Sequence, residues 1–304
     1  WRPNALMIAE SELWPTLIDA ARRRGVPILL VNARMSERSH RRWRRVPSAI
    51  GALLSRLDLV LARTAADAQR FADLGAPRVA VAGNLKYDGA APPADAAELA
   101  DLSARIGGRP VWAAASTHDG EEAIALGVHR ALAARFPDLL TIVAPRHPER
   151  GEAVAAQARA AGFRLSRRAA GEPVGPDVDV YLVDTIGDLG LVYRLASVAF
   201  LGKSLAGDGG QNPIEAAKLG CAVLHGPHVA NFAEDFAMLD AARGALETPD
   251  PEALAVALAR LLGDPARLRA MGRAASEAVE REGGATQAIL RALGPALAGD
   301  DAGA

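Results

Sequence analysis

Short apolar runs alternate with amphipathic stretches along this chain of 304 residues, and that alternation restricts the fold more than any other feature. The runs Ala5–Ala9, Pro27–Val31, Leu57–Leu61 and Val79–Ala82 read as buried strands, with Pro27 at a first strand position where a missing N–H is tolerated. Between them lie helical patterns such as Thr64–Leu74. Strand–helix–strand repetition of this kind predicts parallel sheets covered on both faces, an α/β fold. The pattern breaks at 89–95, where Gly89 is followed by Pro92-Pro93, a linker signal. A helix-like segment follows, and then a second series of strands over 111–115, 139–144, 180–183, 198–201 and 222–224. From about residue 251 the chain is rich in Ala, Leu, Arg and Glu and reads as helices. The expectation is two α/β domains facing each other across a cleft.

Composition narrows the function classes. Half of the residues are apolar, enough for a sizeable core, and the formal charge is −1, so no global field attracts nucleic acid. The single cysteine, Cys221, excludes an intramolecular disulfide framework and fits a reducing compartment. No apolar run approaches the roughly 18–20 residues of a membrane span. No Cys/His cluster or Asp pair has metal-site spacing, and neither a Walker loop nor a hydrolase nucleophile motif is present. Residue 1 is Trp and the chain opens almost directly into a strand, which reads as a fragment or processed chain.

The chemistry-bearing residues fall just after the predicted strands, where open α/β sheets bind ligands. Glu10 and Glu12 follow the first strand; they suit either a site or the cap of the next helix. Six arginines, Arg34, Arg38, Arg41, Arg42, Arg44 and Arg45, lie within twelve residues that hold one acid, Glu37. Guanidinium groups bind phosphates bidentately, and a basic stretch with Trp43 also suits an anionic membrane surface. Lys86 ends another strand. Ser116 and Thr117 precede an acidic helix start and serve equally as caps or phosphate contacts. Arg146 is fixed between Pro145 and Pro148 at a strand end. Gly187, in Asp184-Thr185-Ile186-Gly187-Asp188, suits a close backbone approach or an ordinary turn. The most specific segment runs from Gly202-Lys203-Ser204 through Gly209-Gly210 to Asn212-Pro213-Ile214-Glu215. It predicts a helix with Asn212 as N-cap and Pro213 at N1, in which Glu215 closes a capping box or holds a ribose diol.

Together these segments resemble the Kdo (3-deoxy-D-manno-octulosonic acid) transferases. The resemblance rests on Glu-Ser-Glu-Leu-Trp-Pro at 10–15, Asn-Ala-Arg-Met-Ser at 32–36 and Gly-Asn-Leu-Lys-Tyr-Asp at 83–88. It continues through Ser-Thr-His at 116–118, Pro-Arg-His-Pro-Glu-Arg at 145–150, Asp-Thr-Ile-Gly at 184–187 and Gly-Gly-Gln-Asn-Pro-Ile-Glu at 209–215. All stand in family order and spacing.

The resemblance implies a GT-B fold of two Rossmann-like domains. The expected division is a partial acceptor-binding domain at 1–88, a linker at 89–108, and a CMP-Kdo-binding domain with C-terminal helices at 109–304. It implies inverting, metal-independent transfer of Kdo from CMP-Kdo to a lipid A precursor, with no cofactor, at the cytoplasmic face of the bacterial inner membrane. Pro145, Arg146, Ile186, Gly187, Asp188, Asn212, Pro213, Ile214 and Glu215 would hold CMP, with Ser116, Thr117, Ser204, Gly209 and Gly210 as further donor-loop contacts. Glu10 and Lys86 would support the transition state, and the six arginines would meet acceptor or membrane phosphates. The family's base, a Glu in a Gly-rich loop, and its membrane anchor lie upstream of the residues present, so the N-terminal domain is expected to be incomplete. Asp188 stands in place of the usual Glu, Gln211 of a His and Lys203 of a Gly. Two alternatives remain on sequence alone: a UDP-sugar 2-epimerase of the same fold, and a non-catalytic lipid A-binding module.

Overall fold

The structure is a computed structural model that describes residues 2–297. The chain divides into two compact units. Of the described residues, the first comprises 2–89 together with 282–297, and the second comprises 90–281.

In the first unit the elements run β1 (Leu6–Ala9), α1 (Pro15–Arg23), β2 (Ile28–Ala33), α2 (Glu37–Trp43), α3 (Pro47–Leu54), β3 (Leu59–Ala62), α4 (Ala65–Asp73) and β4 (Val79–Val81). The four strands form a parallel sheet in the order β1-β2-β3-β4. Every residue of β2 is buried, which is why it reads as an unbroken apolar run. Its alternate residues enter different cores. Ile28 and Leu30 pack with Ile18, Ile50, Leu54 and Phe71, whereas Leu29 and Val31 face the opposite side of the sheet.

In the second unit the elements are α5 (Ala96–Ile106), β5 (Val111–Thr117), α6 (Glu121–Ala133), β6 (Leu140–Pro145), α7 (Gly151–Ala160), β7 (Leu165–Arg167), β8 (Val180–Leu182), α8 (Leu189–Leu195) and β9 (Val198–Leu201). They continue with α9 (Ile214–Lys218), β10 (Ala222–His225), α10 (Ala233–Ala241), β11 (Ala245–Glu247), α11 (Pro251–Leu262) and α12 (Pro265–Arg281). The seven strands are parallel in the order β11-β10-β9-β5-β6-β8-β7. Trp112, Val143, Leu182, Phe200 and Leu224 form one inner layer with Leu126 and Leu132 of α6 and Leu254 and Leu258 of α11. From β5 the chain works outward through β6 to β7 and β8, then crosses back to β9 and works outward the other way. The order therefore reverses between β5 and β9, the position where sheets of this type form a ligand crevice at their carboxyl ends.

Two boundaries differ from the sequence expectation. The segment 89–108 is not a free linker: it contains α5, whose Leu102 and Ile106 are buried and whose Glu98 pairs with Arg168. Its Pro-Pro step is also packed. A Cβ on Gly190 would lie 1.9 Å from the Pro93 carbonyl oxygen, so only glycine fits there, and Arg194 donates to the Pro92 carbonyl at 2.7 Å. The last helix, α13 (Ala285–Leu297), joins the first unit rather than the second. Its Ile289 and Leu293 cover Leu29, Val31, Leu59, Leu61 and Ala82, a sheet face to which α1–α4 contribute no residue of this cluster. Asp88 fastens its start by accepting from the backbone N–H groups of Gly284, at 2.6 Å, and Thr286.

Candidate functional site

Backbone strain marks the carboxyl ends of the strands. Among the described residues five non-glycines have positive φ, and four of them, Glu10, Asn32, Ser116 and Lys203, lie at or within two residues of the ends of β1, β2, β5 and β9. Asn32 and Ser116 sit where the register shifts, in the steps Leu30/Ala33 against β3 and Ala115/Thr117 against β6. Such residues cost about 1–3 kcal/mol each and persist where surrounding structure enforces them, often at functional sites.

In the second unit three strand-end loops are brought together at the edge of the sheet. The N–H of Arg146 donates to the Thr117 carbonyl at 3.0 Å, joining the loops after β5 and β6. The N–H of Gly202 donates to the Ala115 carbonyl at 2.8 Å, joining those after β5 and β9. Gly202 must be glycine, since a Cβ would come within 2.4 Å of the Ser116 carbonyl oxygen. The Gln211 amide nitrogen and His118 Nε2 are 2.9 Å apart, and the His118 ring meets His147 edge-on with centroids 5.5 Å apart. Burial lowers the pKa of His118, with the Glu121 carboxylate opposing, so the neutral imidazole is favoured.

Beneath this surface lie two buried carboxylates, Glu121 and Glu122, each 1 % exposed. Glu122 accepts from Thr117 Oγ1 at 2.9 Å and from Arg150 at 2.6 Å. Glu121 accepts backbone N–H bonds from both the β5 and the β9 loops. Neither was singled out from sequence as more than an acidic helix start; a Glu pair following Gly120 carries no mark of burial.

The expected donor residues take different places. Arg146, Ile186 and Gly187 are exposed around this edge; Ile186 is 90 % exposed and Gly187 has φ of +93°. Gly209 and Gly210 are buried and tight, with Asn231 and Val229 against them. Pro145, Pro213 and Ile214 are buried. Thr117 and Ser204 are fully buried, with hydroxyls directed inward: Ser204 Oγ donates to the Leu201 carbonyl and accepts from the Gly226 N–H. Both hydroxyls are spent on contacts inside the protein, where each residue closes a buried strand-end turn. Asp188 is held bidentately by Arg168, which Glu98 and Tyr181 also contact, and accepts from Thr185. Burial opposes ionisation of Asp188, but these hydrogen bonds and the Arg168 charge outweigh it and hold the carboxyl below its usual range.

The expected helix start at Asn212 is shifted by one residue. Helix α9 begins at Ile214 with Pro213 in the cap position, and Asn212 Oδ1 accepts from the Ile214 N–H at 3.1 Å. With Pro213 as the cap, Glu215 stands at the second helical position rather than the third that a capping box uses, and its carboxylate meets the Asn212 side-chain amide at 3.5 Å.

In the first unit the candidate residues are more open. Glu10 is exposed, and neither it nor Glu12 caps α1; Glu12 accepts from the Trp14 indole at 3.0 Å. Lys86 is half-buried, with Nζ 5.0 Å from the Tyr87 ring centroid. All six arginines of 34–45 are exposed along and beside α2. Arg41 pairs loosely with Glu37 at 3.8 Å; the other five form no ion pair among the described residues. A cavity of about 460 Å³ lies beside them, lined by Ser11, Leu13, Arg34, Ser39, Trp43 and Phe71 among others. No helix of the described residues is long and apolar enough to cross a membrane.

A family model for 3-deoxy-D-manno-octulosonic-acid transferase (kdotransferase) matches residues 1–89. The chain is 42 % identical over 296 residues to the 3-deoxy-D-manno-octulosonic acid transferase of Bordetella pertussis, covering 96 % of this chain and 69 % of that protein. The chain belongs to the Kdo transferase family. The Haemophilus influenzae member is 36 % identical, over 97 % of this chain and 70 % of its own length. Among solved structures, the C-terminal CMP-Kdo binding domain of WaaA from Acinetobacter baumannii matches with TM-score 0.58 and 28 % identity, covering 61 % of this chain and 97 % of that domain. UDP-GlcNAc 2-epimerase from Neisseria meningitidis, bound to UDP-GlcNAc, matches with TM-score 0.59 over 95 % of this chain and 76 % of its own. At 13 % identity that likeness establishes the fold alone, a GT-B arrangement of α/β units shared by this glycosyltransferase family and the epimerases.

Proposed function

We propose that this Kdo transferase family member moves Kdo from CMP-Kdo to a lipid A precursor, by inversion and without a metal ion. The identity to named Kdo transferases across nearly the whole chain carries the reading. The donor side is the carboxyl edge of the second unit's sheet. There Arg146, exposed and at a fixed strand end, meets the CMP phosphate and offsets charge as it departs. Ile186 offers an apolar surface and Gly187 a backbone amide to the nucleotide. Asn212 and Glu215, half-buried at the start of α9, supply polar groups for the ribose. Asp188 acts through Arg168, shaping the loop rather than touching the donor.

On the acceptor side Glu10 and Lys86 support the transition state, and the arginines beside α2 meet lipid phosphates at an anionic membrane surface, the inner leaflet of the bacterial inner membrane. That five of the six form no ion pair among the described residues favours an anionic partner for them.

Calorimetry with CMP and UMP tests the donor assignment. CMP is expected to bind more tightly than UMP, equally well with and without EDTA. Arg146→Ala should weaken CMP by about 1.5–3 kcal/mol, the scale of a charge-assisted contact. A preference for UMP would transfer the reading to the epimerases, and an unchanged Arg146→Ala would remove Arg146 from the site.

A further inference from the structure

The loop that follows β9 closes around a single buried acid. Glu121 Oε2 accepts the backbone N–H groups of His118 at 2.9 Å and Lys203 at 2.6 Å. Its other oxygen accepts those of Ser204 at 3.0 Å, Leu205 at 3.1 Å and, more weakly, Ala206 at 3.4 Å. Four consecutive amides converging on one point form the concave N–H array that binds anions in other proteins. Here the anion is a side chain from the first turn of α6, and it lies where the strand order reverses between β5 and β9.

Such an arrangement has specific consequences. A carboxylate has enough lone pairs for these donors, whereas a carboxamide at the same place has one acceptor oxygen and would turn its own N–H groups towards amides. The positive φ of Lys203 is sustained by this contact and by the close approach of Gly202 to Ser116. From Lys203 the chain continues to Gly210, whose N–H returns to the Lys203 carbonyl at 2.9 Å, and then to Gln211, which reaches His118. One carboxylate therefore sets the positions of both the 116–118 loop and the 202–212 loop.

We propose that Glu121 is a positioning residue for the nucleotide-sugar donor: it never touches CMP-Kdo but holds the amides and side chains of 203–212 in their binding geometry. This rests on the donor assignment made above. The test measures CMP affinity by calorimetry, amide hydrogen exchange at 203–206, and cooperative unfolding in denaturant, for the wild type, Glu121→Gln and Glu121→Asp. Glu121→Gln is expected to unfold cooperatively, to weaken CMP at least tenfold, and to accelerate exchange at Lys203–Ala206. Glu121→Asp, which keeps the charge but loses a methylene of reach, should recover part of the affinity. CMP affinity within twofold of wild type in a folded Glu121→Gln would overturn the proposal, as would a loss of stability without a change in affinity. If Glu121→Gln does not fold, Glu121→Asp decides: weakened CMP binding supports the role and unchanged binding refutes it. A wild type that fails to bind CMP would overturn the donor assignment itself, and the positioning role with it.

Discussion

The strand-end loops of the two units differ in what satisfies their charges. In the second unit three acids at the sheet edge are answered within the fold: Glu121 by backbone amides, Glu122 by Arg150 and Thr117, Asp188 by Arg168 and Thr185. In the first unit Glu10 is exposed and five arginines stand in solvent without an ion pair among the described residues. Both units strain a non-glycine backbone at strand ends, so the contrast is not one of backbone geometry. A loop whose charges are satisfied internally is rigid and suits a ligand of fixed shape, whereas unanswered cations suit a partner that arrives carrying the countercharge.

The sharpest way to break this comparison is to remove one arginine from each side. Arg150→Ala would leave Glu122 buried with only the Thr117 hydroxyl, and denaturant unfolding should show a loss of about 3–5 kcal/mol. A loss below about 1 kcal/mol would mean that the second unit's acids are not held by their partners. Next in size is Asp188→Asn, expected to cost about 1–3 kcal/mol at neutral pH. The folded carboxyl is held below its unfolded value, so its contribution is present above the unfolded range and lost as pH falls through the folded value. The gap between wild type and variant should therefore shrink progressively below about pH 4, and a gap independent of pH would point to packing instead. Smallest in stability is Arg42→Ala in the first unit, expected to change unfolding by less than about 0.5 kcal/mol while weakening adsorption to anionic vesicles. Unchanged adsorption of a variant lacking Arg38, Arg42 and Arg45 together would remove the anionic-surface assignment.

Much of the fold was legible because buried parallel strands write themselves as unbroken apolar runs: β2, β9 and β10 fall where the sequence places them. The three-residue edge strands β7 and β11 escaped, since Arg167 and Glu247 interrupt the pattern and an edge strand buries little. Helix α13 was read as a helix, but the unit it joins is fixed by which sheet face lies bare, a property of the folded sheet. At the site, Arg146 and the glycine-rich segment were visible through their prolines and glycines. Glu121 was not, because four of the five amides that surround it come from residues more than eighty positions away. Thr117 and Ser204 show the converse, residue types suited to a ligand that close turns inside the protein instead.

The return of α13 to the first unit has a consequence in time. Residues 1–89 are synthesised before α13, so the sheet face that Ile289 and Leu293 cover lacks those side chains until they emerge. The second unit, contiguous from 90 to 281, can close while the first still waits. Thus, of the two units, the one whose strands are made before the other's receives its last helix after the other is complete, and until then that sheet face depends on whatever keeps nascent chains apart.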